Sequence, residues 1–184
     1  MTRIYFALAA IAMLTACGPR ELEPDAPFEC EQCDSWNEPQ EPFRVHGNTW
    51  YVGTHGLSSI LIESDDGLIL IDGGLPQSAA LIVANIRSLG FDPLSIKAIL
   101  LSHPHFDHAG GVAALQRLAR ANVFTSEAGA PFLGSGQLSE DDPQYVADSD
   151  YGSFPAVSNV NVVGDGELVS VGNIDVRAVY TPGH

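Results

Sequence analysis

Apolar residues along this chain fall into short runs separated by turn chemistry, not into long helical stripes. Thr49-Trp50-Tyr51-Val52-Gly53 reads as a strand, with His55-Gly56 as the loop after it. Ser58-Ser59-Ile60-Leu61-Ile62-Glu63 and Leu68-Ile69-Leu70-Ile71-Asp72 flank Ser64-Asp65-Asp66-Gly67, which predicts a β-hairpin with an Asp-Gly turn. A helix is expected from about Ser78, with Ala80, Ile82, Val83 and Ile86 at its apolar positions and Gly90 as its stop. Ile96-Lys97-Ala98-Ile99-Leu100-Leu101 reads as a buried strand, and Val112-Ala113-Ala114-Leu115-Gln116-Arg117-Leu118 as a helix running to about Ala119. Asn122-Val123-Phe124 is a short strand. Residues 134–157, mostly Gly, Ser, Asp, Pro and aromatics, form a long loop, either a solvated excursion or a wall facing substrate. Residues 159–163, 168–171 and 174–180 read as the strands of a meander, turning at Asp165-Gly166 and Gly172-Asn173. Strands, helix, strand, helix and strands in that order predict a layered α/β fold with a mixed sheet.

The N-terminal residues break this pattern. Thr2-Arg3 precedes an apolar run over residues 4–14 that is short for a bilayer span, so it reads as an export signal. Leu14-Thr15-Ala16-Cys17 is similar to the bacterial lipoprotein signal, which makes 1–16 the signal peptide and Cys17 the lipidated residue; the alternative is a plain secretory signal cut near Ala16. Either reading places the mature protein in an exported, oxidising compartment, the periplasm, with membrane attachment through lipid on Cys17 in the first case. Residues 17–42 read as an acidic, Pro-rich tether: residues 21–42 hold eight Asp or Glu and no Lys or Arg. Within it, Cys30-Glu31-Gln32-Cys33 has no second Cys pair to complete a zinc site, which favours a disulfide whose pairing the sequence leaves open. The 184 residues are enough for one domain with a real core, and the formal net charge of -15 argues against a nucleic-acid partner.

Candidate chemistry concentrates in one place. Ser102-His103-Pro104-His105-Phe106-Asp107-His108-Ala109-Gly110-Gly111 holds three of the chain's six histidines and lies between a strand and a helix, where a scaffold presents polar groups to a ligand. A lone histidine at a strand end is usually a satisfied polar residue. Four titratable groups at this density would each need a separate partner in a tight loop, whereas a metal satisfies them together. If the strand geometry continues, period-2 alternation points His103, His105 and Asp107 to one side, with His108 approaching from the helix start.

Asp72-Gly73-Gly74, the His103-x-His105-x-Asp107-His108 cluster and Pro182-Gly183-His184, in that order and separation, resemble the metallo-β-lactamase superfamily. Trp36-Asn37, Pro42-Phe43-Arg44-Val45, Gly47-Asn48-Thr49-Trp50-Tyr51-Val52-Gly53, Gly56-Leu57-Ser58-Ser59-Ile60-Leu61-Ile62 and Asp141-Asp142-Pro143-Gln144 are similar to the third subclass of its class B β-lactamases. His108 stands where first-subclass enzymes carry an arginine.

The resemblance implies an α/β fold, an αββα sandwich with mixed sheets, of which residues 43–184 are the N-terminal part and the second half is truncated. With that half absent, an apolar sheet face is expected to be bare and the chain alone inactive. The resemblance implies two zinc ions per active site: the first on His103, His105 and His184, the second on Asp107, His108 and a further ligand beyond His184. Asp72 is implied to fix the metal loop through hydrogen bonds. His46 and His55 match no ligand position. The implied activity is hydrolysis of the β-lactam amide bond, and hence antibiotic resistance, by a metal-bound hydroxide that Asp107 orients. No Ser-x-x-Lys is present, so a serine β-lactamase is not expected. A lactonase or thioesterase on the same fold remains an alternative, as does a lipoprotein that uses zinc only for stability.

Overall fold

The computed structural model describes residues 20–182; the expected signal peptide, Cys17 and His184 lie outside the described residues. After a one-turn helix α1 (Cys33–Trp36), four strands follow: β1 (Phe43–His46), β2 (Thr49–Tyr51), β3 (Ile60–Ser64) and β4 (Gly67–Ile71). Then come α2 (Ser78–Ser88), a 3-10 turn (Pro93–Ser95), β5 (Ile96–Leu100), α3 (Phe106–Ala109), α4 (Val112–Ala119), β6 (Asn122–Thr125), α5 (Ala130–Ser135), β7 (Val160–Val162), β8 (Leu168–Val171) and β9 (Ile174–Arg177). Seven strands form one sheet in chain order, β1 to β7. Pairing is antiparallel from β1 to β4 and parallel from β4 to β7, because helices carry the chain back between the later strands.

The sheet is covered on both faces at its centre, which is why β4 and β5 are almost continuously apolar. On one face Leu68, Leu70, Ile96 and Ile99 pack with Ile82, Ile86, Leu115 and Leu118 of α2 and α4. On the other, Ile69, Ala98 and Leu100 pack with Val169 and Val171 of β8. Strict alternation would put Ile96 and Ala98 on one face. They lie on opposite faces because the register slips by one residue: Leu68 pairs with Ile96 but Ile69 with Ala98, leaving Lys97 as an exposed bulge.

Three sequence expectations change. The three final strands are not one meander. β7 joins the large sheet, parallel to β6, and only β8 and β9 form an antiparallel pair in a second sheet. That pair covers the middle of the face expected to be bare, although Val162, Leu168, Val179 and Tyr180 remain exposed. Nor do the described residues 20–42 stand away from the domain as a tether. Leu22 and Phe28 pack against the core, and Cys33 is buried. Gln77 clasps the backbone of Phe28 with two hydrogen bonds, and Asp25 pairs with Arg117 at 2.8 Å. A few apolar anchors outweigh the acidic composition, because even a partly buried Leu or Phe side chain contributes about 1 kcal/mol. Cys30 and Cys33 form a disulfide with each other. Among the described residues no helix is long and apolar enough to cross a membrane.

Candidate metal centre

The site lies where β4 and β5 end and the chain turns. Asp72 follows β4 with φ +61°, a left-handed conformation that Asp tolerates better than most residues. Gly73 and Gly74 complete the turn, and the histidine loop comes against them. Gly73 N–H donates to the His108 carbonyl at 2.7 Å, and Gly111 N–H to the Gly74 carbonyl at 3.1 Å. A Cβ on Gly73 would meet the backbone nitrogen and Cγ2 of Val112 at 2.9 Å, so the two segments approach this closely only without side chains.

Asp72 organises the loop from below and is buried. Its Oδ1 accepts from the Ser102 backbone N–H at 2.8 Å, and its Oδ2 from the Ser102 hydroxyl at 2.7 Å. The same Oδ2 lies 2.9 Å from His108 Nδ1. Ser102 Oγ also lies 3.2 Å from His103 Nδ1 and 3.3 Å from His108 Nδ1. A hydroxyl whose proton is given to Asp72 can only accept from these rings, which favours Nδ1–H and puts the lone pair of each neutral ring on Nε2. Burial opposes charge on His108, but the hydrogen bond to Asp72 and the charges of Asp72 and Asp107 outweigh it and raise its pKa.

His103, Asp107 and His108 offer one ligand atom each within 4.8 Å of one another. The rings of His103 and His108 are 4.0 Å apart between centroids, and His108 Nε2 lies 3.5 Å from Asp107 Oδ2. Alternation does not produce this convergence. β5 ends at Leu100, the His105 carbonyl accepts from the N–H groups of His108 and Ala109, and Asp107 reaches the group from the first turn of α3. His105 is not in the group of three. It is buried, its ring stands 4.8 Å from that of His103, and its Nε2 meets Asp142 Oδ2 at 2.9 Å.

Sequence reasoning gave Ser102 and Asp142 no role at this site. The signals were a hydroxyl at the end of a buried strand and, for Asp142, carboxylates in a long loop whose Asp141-Asp142-Pro143-Gln144 stretch resembles the third subclass. Beside Asp107 opens a cleft of about 400 Å³, walled by Trp36, Phe106, Pro143, Tyr145, Val146 and Tyr151. Phe28 backs Phe106 with ring centroids 4.3 Å apart, so the N-terminal segment supports the cleft.

Two imidazoles and a carboxylate with converging donor atoms form a donor set that suits zinc. The family model described as the metallo-beta-lactamase superfamily matches residues 52–184. The fold is similar to that of Rm3 metallo-beta-lactamase, with 49% identity and a TM-score of 0.80 over 85% of this chain and 57% of that one. It is similar to MEM-A1, a subclass B3 metallo-beta-lactamase from a soil metagenome library, with 53% identity and a TM-score of 0.77 over 81% of this chain and 55% of that one. An N-acyl homoserine lactonase of Bacillus cereus is 26% identical over 67% of this chain and 52% of its own length. The chain thus spans little more than half the length of these proteins. On the family match and the geometry together, the chain belongs to the metallo-beta-lactamase superfamily, where its fold and sequence are similar to those of the B3 enzymes.

Proposed function

We propose that the protein is a zinc-dependent hydrolase that opens the amide bond of β-lactam antibiotics. The observation that carries this reading is the convergence of His103, Asp107 and His108 on one point at the edge of an aromatic-walled cleft. His103, His105 and His184 would hold the first zinc, and Asp107 and His108 would contribute to the second. When bound, zinc supplies a Lewis acid that polarises a carbonyl oxygen and lets water lose its proton near neutral pH. Asp107 would orient a water at the site through its carboxylate, and the Asp72–Ser102 network holds His103 and His108 in one tautomer. Trp36, Phe106, Tyr145 and Tyr151 pack against the fused rings of the substrate and exclude bulk water.

The test is hydrolysis of a chromogenic cephalosporin by the full-length protein, abolished by a chelator and restored by zinc. Turnover that survives chelation overturns the reading. The likeness to the lactonase favours a second reading, hydrolysis of an acyl homoserine lactone. Rapid lactone opening with an inert cephalosporin would decide for it.

We also propose export to the periplasm with lipid attachment at Cys17. Support comes from the residues before Cys17 and from the Cys30–Cys33 disulfide, a bond that persists in oxidising compartments. Loss of the protein from the membrane fraction on Cys17→Ser checks the anchor.

A further inference from the structure

Of the carboxylates around the histidine loop, Asp142 comes from farthest along the chain, 37 residues after the histidine it meets. The contact is 2.9 Å from His105 Nε2 to Asp142 Oδ2, between side chains only 6% and 12% exposed. The other oxygen of Asp142 accepts from the Gln144 N–H at 2.8 Å. Asp142 N–H donates to the Ser139 carbonyl at 3.0 Å, and Tyr145 N–H to the Asp142 carbonyl at 2.9 Å. The carboxylate is therefore held by its own turn and points in one direction.

An ionised carboxylate only accepts hydrogen bonds, so the proton between the two groups belongs to His105 Nε2. A neutral imidazole held this way carries its lone pair on Nδ1. This is the reverse of His103 and His108, whose Nδ1 atoms face Ser102 and Asp72. The residues that follow Asp142, from Pro143 to Val146, line the cleft beside Asp107. One hydrogen bond thus joins a wall of the cleft to the histidine loop.

We propose that Asp142 is a positioning residue with two effects. It fixes His105 as the Nε2–H tautomer, so that Nδ1 is the nitrogen offered to the metal, and it seats the wall formed by residues 143–146. The proposal rests on the reading of His105 as a metal ligand. Because the coupling is reciprocal, metal binding tightens the wall and loss of the wall contact weakens the metal.

The experiment uses the intact protein and zinc. Ring-nitrogen NMR of the wild type is expected to show His105 protonated at Nε2, with Nδ1 shifted by zinc; an Nδ1–H tautomer overturns the proposal without any variant. Asp142→Ala is expected to raise the zinc dissociation constant, measured by chelator competition, about 10- to 100-fold, with a smaller rise for Asp142→Asn. Zinc is expected to slow backbone hydrogen exchange over residues 139–146 in the wild type and to lose most of that effect in Asp142→Ala. Wild-type zinc affinity and exchange in both variants sink the proposal. If the NMR and affinity results hold but no β-lactam is hydrolysed, the substrate assignment fails and the role of Asp142 stands.

Discussion

The loop after β5 and the loop between α5 and β7 meet at one cleft but are held in different ways. Residues 101–111 are fixed along their length: Leu101 to β6, Ser102 to Asp72, His105 to the start of α3, and Gly111 to Gly74. Residues 136–159 are fixed mainly at their ends and, between them, through Asp142 and the Tyr151 ring. Phe154 N–H returns to Gly136, Val157 N–H to Leu133, and the buried Gln116 side chain bonds Ser158. Between these ties lies Asp142, with mostly exposed residues on either side. Groups that must converge on a cation within tenths of an ångström sit on the stiff loop, and groups that only pack against a substrate sit on the loose one. The comparison predicts that damage to the first loop costs stability and metal together, and that damage to the second, Asp142 apart, costs substrate binding alone.

Gly111→Val should have the largest effect. A Cβ there collides with the Gly73 carbonyl and presses on the Leu75 carbonyl at 3.1 Å, and neither backbone can yield without opening the turn below the site. We expect a loss of about 3 kcal/mol in urea unfolding, as for overpacking at a rigid site, together with loss of zinc binding. A variant that keeps its zinc and its unfolding midpoint would mean that the loops are not locked as described.

Asp72→Ala should come next. It leaves the Ser102 N–H, the Ser102 hydroxyl and His108 Nδ1 without their shared acceptor, and it puts alanine at φ +61°. Losing this acceptor strands part-buried donors at a cost of about 1–2 kcal/mol in total, and metal affinity should drop by about 10- to 100-fold. Asp72→Asn keeps the turn conformation and should recover most of the stability but less of the affinity. Denaturant unfolding and chelator competition separate the two.

How much of this the sequence revealed depends on how local each feature is. The β3–β4 hairpin, α2 and β5 were legible because their apolar runs and Gly stops lie within a dozen residues. The convergence of His103, Asp107 and His108 was legible as a cluster, but its geometry was not, since the change from strand to helix at Phe106 carries no Gly or cap residue to announce it. The pairing of β7 with β6 across a long loop, the contact of Asp142 with His105 and the packing of Phe28 on Phe106 are distant in sequence. No periodicity encodes them. The Lys97 bulge was hidden for another reason: an apolar run looks the same with or without one extra residue in its register.

On the loose loop, Tyr151→Ala tests the other half of the comparison. Tyr151 is 48% exposed, and its ring stands 5.9 Å from those of both Phe28 and Phe106. We expect a stability change of less than about 1 kcal/mol, because a half-exposed ring buries little area. The zinc affinity should be that of the wild type, and KM should rise several-fold with little change in kcat, the mark of lost uniform binding. A fall in kcat with KM unchanged would place Tyr151 nearer the reacting atoms than the comparison allows.

The smallest expected effect concerns protons on the stiff loop. In the metal-free protein Asp72 and Asp107 hold His108 protonated above its ordinary pKa of 6.5, despite the burial that opposes its charge. A raised folded-state pKa means that the native protein binds this proton more tightly than the unfolded chain does. The stabilisation is therefore complete below the unfolded pKa and disappears as pH rises through the folded one. His108→Gln cannot take up the proton, so the stability gap between wild type and variant should be widest below the ordinary pKa of 6.5 and narrow as pH rises above it. Urea unfolding of both proteins in chelator across that range measures the gap. Zinc competes with protons for histidine nitrogen, so its addition should remove this dependence. A gap that widens with pH would mean that burial, not the two carboxylates, dominates at His108, and the stiff loop would then hold a neutral ring even without metal.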